Sequence, residues 1–490
     1  MKDSRLIEIL TAFTSEELND FEKFLSSPFV KTRRNVAPLL SHLRSLYPEF
    51  DGKKVEKSFA FSTMFPDEEY SEKKMINLMS DLTKESENFL MHLALDRNET
   101  DSLLYLSKGF YEKQLLNHSM RVLKTFEKKL QPGFSPGKDY YAKIRQSEFF
   151  KGAYYTSKND FEGLIETKKR YFEASAVQFI FDYIQLLSSV EPILTTYGRT
   201  LDNKFIESVL KLVNVDELFS EIDKSDISHK YLIALHYYYL KTITEPEEKK
   251  FYYLLRDEFY GNISMLDREE KYIIFNQLAN YCTEEVSRKN EQFYKEAMDV
   301  YKNMLEENAY SFSEKEYMQV ITYRNIIYYC NTVKDDEWFE YFISKYTDAL
   351  SHEYRTDMKN FAFGNLWFLR REYEKSLVSI SAIENEFFLF KSDLRNLLLK
   401  IFFELGYYEQ AYSLIDAYKH FLSSTKEISK EYKEYYNRFV KRYMQLLKIK
   451  SGKSRDVPGL LLRELTKETR IVNKNWLIEK AEELLSNKKK

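Results

Sequence analysis

Residues that break helices are scarce in this chain. Its 490 residues include 12 glycines and 9 prolines, whereas average usage would give about 34 and about 24. Glycine and proline punctuate turns and interrupt helices, so hairpin-rich β structure has little room here. We therefore expect long helices with short connections. Because a chain of this length exceeds the size of a single hydrophobic core, we also expect several domains or an extended repeat array.

Cysteine and long apolar runs are also rare. Cys282 and Cys330 are the only cysteines, which is too few for a disulfide framework or for a four-thiolate zinc site. No run of about 18 apolar residues occurs, and the charged, amphipathic first residues lack the continuous apolar segment of a signal peptide. We expect a cytoplasmic protein that has no membrane partner.

The sequence lacks the motifs of common enzymes. SGKS at 451–454 resembles the end of a phosphate-binding loop, but Leu447 stands where that motif requires glycine, and the surroundings are helical. The histidines form no HExxH pair, and none lies beside a cysteine at metal-ligand spacing. We expect no catalytic residue, no cofactor and no metal. The alternative that the protein is an enzyme requires a site assembled from carboxylates and histidines that are distant in the sequence.

Charge is distributed unevenly along the chain. The net charge of −3 argues against a general polyanion binder, because neutralising phosphates requires a surplus of lysine and arginine. Residues 441–490, however, carry 14 basic and 6 acidic side chains. This basic tail could dock on RNA, on an acidic partner or on the acidic remainder of the chain, although a solvated face is the simplest interpretation. The candidate contact residues are Lys448, Lys450, Lys453 and Arg455.

Composition and turn signals divide the chain into three predicted segments. Residues 1–95 are expected to form an N-terminal helical domain, in which Thr14 and Glu17 have the spacing of a capping box. After a polar stretch, helix follows helix over 96–449, separated by short turn signals. Residues 450–490 have the composition of a basic linker followed by one C-terminal helix.

A repeated pattern is most regular at 402–422. A turn glycine, Gly406, is followed by the aromatic Tyr408 two positions on and by the small Ala411 three positions further, and apolar residues then continue the helix. This order resembles the second half of a tetratricopeptide unit. The small residue lets two helices approach closely, and the aromatic ring fills the space beside the turn.

Three further copies precede this one. Their small positions are Ser376, Phe339 in a degenerate copy, and Ala297, at steps of 35, 37 and 42 residues, against a family period of about 34. Arg371 stands where the best copy has its turn glycine. The array is clearest over 271–422. The predicted fold is therefore all-α, a right-handed α-solenoid of tetratricopeptide-like helical hairpins with an N-terminal helical domain and a C-terminal helix.

Longer segments resemble a family of bacterial proteins. The matching stretches are SSPFV near the start, NLMSDL at 77–82, EPEEKKFYYLLRDEF at 245–259, LANYC at 278–282, LLLKIFFELGYYEQAYSLIDAYKHFL at 397–422 and NKNWLIEKAEELL at 473–485. Members of this family have a similar length and are described only as hypothetical or repeat-containing proteins. The resemblance spans nearly the whole chain. It implies an intact, cytoplasmic protein of tetratricopeptide-like repeats, and it implies no activity.

In tetratricopeptide arrays the first helix of each hairpin lines a concave groove. Asparagine, lysine and arginine side chains there hold an extended peptide through its backbone or its carboxylates. Ordinary solvated positions are the alternative interpretation of such residues. The candidate groove residues of this chain are Arg324, Asn325, Asn365, Arg370, Arg395 and Asn396.

Three functional hypotheses follow, in three classes. The leading one is a non-enzymatic scaffold or adaptor that binds a protein or peptide along its concave surface. The second is an RNA- or ribosome-associated factor that contacts nucleic acid only through the basic tail, and salt-dependent binding that is lost on deletion of 450–490 would distinguish it. The third is an enzyme whose site is not visible in the sequence, for which a pocket with clustered ionisable groups would argue.

Overall fold

Helices account for all of the regular structure in the described part of the chain. The computed structural model describes residues 1–130, 139–197, 204–205, 208, 212–314, 316–383, 388–425, 430–453, 458–468 and 471–487. Over these residues it contains 23 α-helices and no β-strand, apart from an isolated bridge between Met318 and Leu350. The predicted all-α class is thus confirmed. None of the described helices has the length and apolarity needed to cross a membrane.

The first five helices enclose one core. They are α1 (Arg5–Ala12), α2 (Ser15–Leu25), α3 (Ala37–Arg44), α4 (Lys57–Met64) and α5 (Glu72–Arg97). The predicted capping box forms at α2: the Glu17 N–H donates to Thr14 Oγ1 at 3.1 Å, and the Thr14 N–H donates to Glu17 Oε2 at 2.7 Å. Two backbone donors are thereby satisfied where α2 begins. Each helix buries one apolar stripe, and fully buried members of it are Leu10, Phe21, Leu39, Phe61 and Leu82.

The described residues form two compact units, Met1–Tyr183 and Ile184–Lys490. In the first unit α5 is followed by α6 (Glu99–Glu112), α7 (Leu116–Lys129) and α8 (Tyr140–Ser157), and α9 (Phe161–Tyr197) begins there. Helices α6 and α7 form a hairpin, and α8 packs against both of them. The domain boundaries predicted after residues 95 and 449 stay predictions.

The structure describes fourteen more helices, all in the second unit. They are α10 (Val215–Lys224), α11 (Tyr231–Thr244), α12 (Lys249–Asn262), α13 (Arg268–Ser287), α14 (Gln292–Glu306), α15 (Val320–Val333), α16 (Asp336–Tyr346), α17 (His352–Leu369), α18 (Tyr373–Ser381), α19 (Phe388–Leu405), α20 (Tyr408–Ser424), α21 (Lys430–Lys450), α22 (Pro458–Lys467) and α23 (Lys474–Asn487). Sequence neighbours pack as hairpins, and the first helices of successive hairpins also touch, as α15 and α17 do.

Several hydrogen bonds between successive hairpins join residues that are 33 to 35 positions apart. Gln277 on α13 donates to Thr242 on α11, 35 positions earlier, at 2.8 Å. Asn331 on α15 donates to Asn365 on α17, 34 positions later, at 3.1 Å. Four other bonded pairs with separations of 33 to 35 residues are Tyr281 and Pro246, Lys302 and Asp335, Arg370 and Asp336, and Tyr407 and Glu374. Each separation is close to the length of one hairpin.

Several hairpin turns in the described part of the chain pass through a residue with left-handed backbone, among them the following four. The angle φ is +73° at Gly406, +62° at Arg371, +58° at Lys334 and +58° at Gln114. Left-handed backbone favours glycine because a Cβ atom crowds the following carbonyl. Arg371 nevertheless keeps the turn conformation that the sequence pattern assigns to glycine.

The residue five positions after each of these turns is buried. These four residues are Ala411, Ser376, Phe339 and Ser119. Ser119 belongs to a copy of the pattern that the sequence analysis did not identify, in which Leu123 and Phe126 are also fully buried. Spacing was the available signal, because LNHSMRVLKTF at 116–126 matches YEQAYSLIDAY at 408–418 at its small and apolar positions.

Helices α17 and α18 approach each other closely at Gly364. Ser376 Oγ donates to the backbone oxygen of Gly364 at 2.6 Å. A Cβ atom at residue 364 would lie 2.4 Å from Cδ1 of Ile380, so a larger residue there would displace that side chain. The small residue of this copy therefore has the expected role of letting two helices meet.

The C-terminal segment contains two helices, so the prediction of one C-terminal helix is wrong. Helix α22 ends at Lys467 and α23 begins at Lys474. Asn473 has a left-handed backbone, with φ of +54°, which a continuous right-handed helix does not allow. Both helices contribute to a core with α19, α20 and α21, in which Leu465 and Leu477 are fully buried.

Candidate functional site

The residues predicted to line a peptide groove contact other residues of the second unit. Arg324 on α15 forms a two-pronged ion pair with Asp393 on α19, in which Nε donates to Oδ2 at 2.5 Å and Nη2 donates to Oδ1 at 3.1 Å. The two residues lie 69 positions apart. The pair therefore bridges the first helices of two hairpins that are not neighbours in sequence. Asn325 lies beside it, with Nδ2 3.5 Å from the Tyr301 hydroxyl.

Asn365 and Arg370 join neighbouring helices in the same way. The buried Asn365 amide oxygen accepts from Asn331 Nδ2 at 3.1 Å, which links α17 to α15. The Arg370 guanidinium donates to Asp336 at 2.9 Å and to Glu340 at 2.7 Å, which links the end of α17 to α16. Both side chains therefore stabilise the packing of hairpins.

Arg395 and Asn396 lie between α19 and α20. The Arg395 guanidinium is 4.5 Å from the centre of the Phe421 ring. The Asn396 amide oxygen is buried and accepts from the Tyr418 hydroxyl at 3.2 Å. All six predicted groove residues thus make contacts between helices. That any of them also contacts a peptide stays a prediction.

Two of the four predicted basic-tail residues contact the second unit itself. Lys450 donates to the Phe403 backbone oxygen at 2.5 Å, and partial burial lowers the pKa of this lysine. Lys453 lies 3.4 Å from a carboxylate oxygen of Glu409. Lys448 is exposed on the last turn of α21. Arg455 lies outside the described residues. Binding of RNA through this tail stays a prediction.

Among the described residues, no group of three His, Cys, Asp or Glu side chains could hold a metal ion. Cys282 is fully buried, with its sulfur 3.2 Å from the Tyr252 hydroxyl. Burial raises the pKa of the Cys282 thiol to about 12. At neutral pH this thiol is protonated, and a protonated thiol is a poor nucleophile.

The first unit contains a cavity of about 460 Å³ between α6 and α8. Helix α6 contributes Asp101 and Tyr105, and α9 contributes Tyr171. The remaining lining residues, from α8 and the position before it, are Asp139, Ala142, Lys143, Arg145, Gln146 and Phe149. We call this surface the α6–α8 groove.

Helix geometry places a charged residue and an aromatic residue together on each side of the groove. Tyr105 follows Asp101 by four positions on α6, and Phe149 follows Arg145 by four positions on α8. Residues four apart lie one above the other on a helix. Tyr105 is 61% exposed and Phe149 is 47% exposed, so both rings are available to a ligand.

Contacts beneath the groove hold its two walls in place. The buried hydroxyls of Ser107 on α6 and Ser119 on α7 are 2.8 Å apart and share a hydrogen bond. Lys151 on α8 is buried, and its ammonium group contacts Glu148 at 2.5 Å and also pairs with Glu127 on α7. An apolar cluster fills the space between the three helices, and its buried members are Leu104, Leu123, Phe126 and Phe150.

The charges of the groove are only partly paired. Lys143 forms an ion pair with Asp101 at 2.8 Å and donates to Thr100 Oγ1 at 3.1 Å. Arg145 is exposed and forms no ion pair with any residue that the structure describes. The groove therefore presents one free guanidinium group beside two exposed aromatic rings.

None of the groove residues predicted from the sequence lies in the α6–α8 groove. The clearest predicted repeats lie at 271–422, and no copy was predicted in the first unit. The copy at 116–126 could have identified α6 as the first helix of a hairpin. By the reasoning that selected residues of the second unit, the asparagines, lysines and arginines on the first helices α6 and α8 would then have been groove candidates, Arg145 among them.

Comparisons with known proteins identify no relative. No protein-family model matches the chain, and neither a curated protein nor a solved structure matches it significantly.

Proposed function

We propose that this chain is a non-enzymatic, peptide-binding protein, a right-handed solenoid of tetratricopeptide-like hairpins whose ligand lies in the α6–α8 groove. One observation carries the proposal: Arg145, which has no ion pair in the described structure, lies beside the exposed rings of Tyr105 and Phe149 at a cavity of about 460 Å³. Arginine and aromatic residues dominate the energetics of protein recognition sites. A cavity of this volume falls within the range of ligand pockets, about 300–1,000 Å³.

Three features support the tetratricopeptide-like part of the proposal. Several hydrogen bonds between successive hairpins join residues 33 to 35 positions apart, close to the family period of about 34. Four turns share a left-handed residue followed five positions later by a buried one. First helices of successive hairpins touch each other, as α6 and α8 do in the first unit. In such arrays these first helices form the binding surface.

The side chains of the groove favour a particular ligand chemistry. A carboxylate is the natural partner of the free Arg145 guanidinium, because the two groups can form a pair of parallel hydrogen bonds. An apolar side chain next to that carboxylate could enter the cavity between Tyr105 and Phe149. Asp101 already neutralises Lys143, so a ligand with several adjacent acidic residues has no second free cation to meet among the described lining residues.

A peptide selection tests this proposal. The full chain would be immobilised and screened against a phage-displayed library of random peptides, in parallel with Arg145→Ala and Phe149→Ala. Arg121→Ala is the matched control, because Arg121 is exposed on α7 and does not line the groove. We expect the wild type and the control to enrich peptides in which an acidic residue adjoins an apolar one, and both groove variants to lose this enrichment. Failure to enrich any motif, or enrichment that survives Arg145→Ala, would contradict the proposal.

A further inference from the structure

Helix α9 carries a stripe of large apolar side chains that the first unit leaves uncovered. Phe161, Ile165, Phe172 and Phe179 are exposed by 69%, 57%, 75% and 53%. The last three lie seven positions apart. Seven residues are almost two full turns of an α-helix, so these three side chains share one side of α9. We call this set of four residues the α9 stripe.

The stripe points away from the core of the first unit. Two positions after each of its last three members are Thr167, Ala174 and Phe181, which are exposed by at most 5%. Two residues correspond to about 200° around the helix axis, so the buried residues and the stripe lie on opposite sides. No member of the stripe lines the α6–α8 groove. The stripe is therefore accounted for neither by the core nor by the site proposed above.

The seven-residue spacing of the α9 stripe suits packing against a second helix that lies alongside α9. Apolar residues that repeat every seven positions drift by only about 20° per repeat on a straight helix, so over two repeats they still face one neighbour. At the centre of the stripe, between Phe172 and Phe179, the chain has two small residues, Ser175 and Ala176. Small residues at the middle of a helix contact allow the two backbones to approach closely, with larger side chains packing on either side.

The charges along one edge of the stripe match those of an antiparallel copy of the same helix. Lys168, Ser175 and Asp182 are also seven positions apart, so they form a row parallel to the stripe. Lys168 and Asp182 are both exposed, and they lie at equal distances on either side of Ser175. Asp182 accepts one hydrogen bond, from Gln178 at 2.7 Å. An identical helix running in the opposite direction and centred at Ser175 would bring Lys168 level with Asp182 of the other copy, and this match occurs twice.

We propose that the α9 stripe is a homodimer interface, in which a second copy of this chain packs its own α9 antiparallel to the first. Phe172 of each copy then lies beside Phe179 of the other. The arrangement is isologous, as two-fold dimers are, and its charges are complementary. A parallel pair would instead place lysine level with lysine and aspartate level with aspartate. The proposal is independent of the ligand that occupies the α6–α8 groove.

Sedimentation analysis of the full chain tests the apolar part of the interface. We expect a monomer–dimer equilibrium, and we expect Phe172→Glu to raise the dissociation constant at least about 100-fold, because it places two charges in the centre of the contact. Phe29→Glu is the control, because Phe29 is 92% exposed in the first unit and lies outside α9. Its dissociation constant should stay within about twofold of that of the wild type.

A charge exchange tests the identity and the direction of the partner. Lys168→Asp and Asp182→Lys should each weaken the dimer by about tenfold, because each variant opposes like charges. Mixed in equal amounts, the two variants should form a heterodimer about as tight as the wild-type dimer, since each charge then meets its opposite. A wild-type chain that stays monomeric at about 100 μM would overturn the proposal, and so would one that instead sediments with phospholipid vesicles. Two further results would overturn it as well. One is a Phe172→Glu variant that dimerises with the wild-type dissociation constant, and the other is a mixture of Lys168→Asp and Asp182→Lys that dimerises as weakly as either variant alone.

Discussion

The α6–α8 groove of the first unit and the surface around Arg324 in the second unit present similar residues in different states. In both places an arginine projects from the first helix of a hairpin. Arg324 is paired through two hydrogen bonds with Asp393, whereas Arg145 has no ion pair with any described residue and lies beside exposed rings. Residue type therefore indicates a surface position, whereas the tertiary partners decide whether the side chain joins two hairpins or stays available to a ligand.

The largest expected effect comes from breaking the ion pair of the second unit. Asp393→Ala leaves the partly buried Arg324 guanidinium without its carboxylate, and we expect it to lower the free energy of unfolding by about 2 kcal/mol. Urea denaturation followed by circular dichroism measures this. Arg324→Ala combined with Asp393→Ala should cost less than Asp393→Ala alone, because no unpaired charge remains. A loss below about 0.5 kcal/mol for Asp393→Ala would mean that the pair is a solvated surface contact.

The same substitution, glycine to alanine, should change stability in opposite directions in the two units. Gly364→Ala forces a contact with Ile380, and we expect a loss of about 1–2 kcal/mol in thermal or urea unfolding. Gly109→Ala on α6 places its methyl group in open space, so higher helix propensity should raise stability by about 0.5 kcal/mol. If both variants were stabilised, the close approach of α17 and α18 would be contradicted.

A buried lysine on α19 should make the stability of the second unit depend on pH in the alkaline range. Burial lowers the pKa of Lys400 from its ordinary value of 10.5 to about 8. Between these two values the unfolded chain binds more protons than the folded one, so this group makes stability rise with pH across that window. We expect Lys400→Met to be more stable than the wild type by about 1 kcal/mol at neutral pH, because the cost of burying the charge is removed.

The difference between Lys400→Met and the wild type should disappear as the pH approaches 10.5. Unfolding curves recorded for both proteins at several pH values give this difference directly. Lys124→Met, at an exposed position of α7, is the control and should show no such pH dependence. A Lys400→Met variant less stable than the wild type at neutral pH would contradict the lowered pKa.

The smallest effect on stability should come from the groove itself. Arg145 is exposed and has no ion pair in the described structure, so Arg145→Ala should change the free energy of unfolding by less than about 0.5 kcal/mol. The same urea experiment that measures Asp393→Ala provides the direct comparison. A loss as large as that of Asp393→Ala would show that Arg145 has a structural role and would remove the contrast between the two surfaces.

Local patterns in the sequence predicted much of the fold. The capping box at Thr14 and Glu17 depends on residues three positions apart, and it forms as predicted. The buried positions at Ser376 and Ala411 followed from helical spacing, and both are fully buried. The break between α22 and α23 was missed, although asparagine is one of the few non-glycine residues that often adopt the left-handed backbone found at Asn473.

The candidate site depended on contacts between distant residues, which spacing cannot provide. Arg324 and Asp393 are 69 positions apart, so no local pattern could have indicated that this arginine is paired. The availability of Arg145 likewise depends on which acidic residues α6 brings near α8, where Asp101 pairs with Lys143 instead. Sequence reasoning therefore identified suitable residue types and could not say which of them are left without partners.

The most direct test of the central claim is a titration of the most enriched selected peptide into three proteins: the full chain, Arg145→Ala and Arg121→Ala. Fluorescence anisotropy of the labelled peptide gives the three dissociation constants. We expect Arg145→Ala to weaken binding at least about tenfold, the value of a lost charged hydrogen-bonded contact, while Arg121→Ala binds like the wild type. Equal affinity for all three proteins would contradict the assignment of the α6–α8 groove as the binding site.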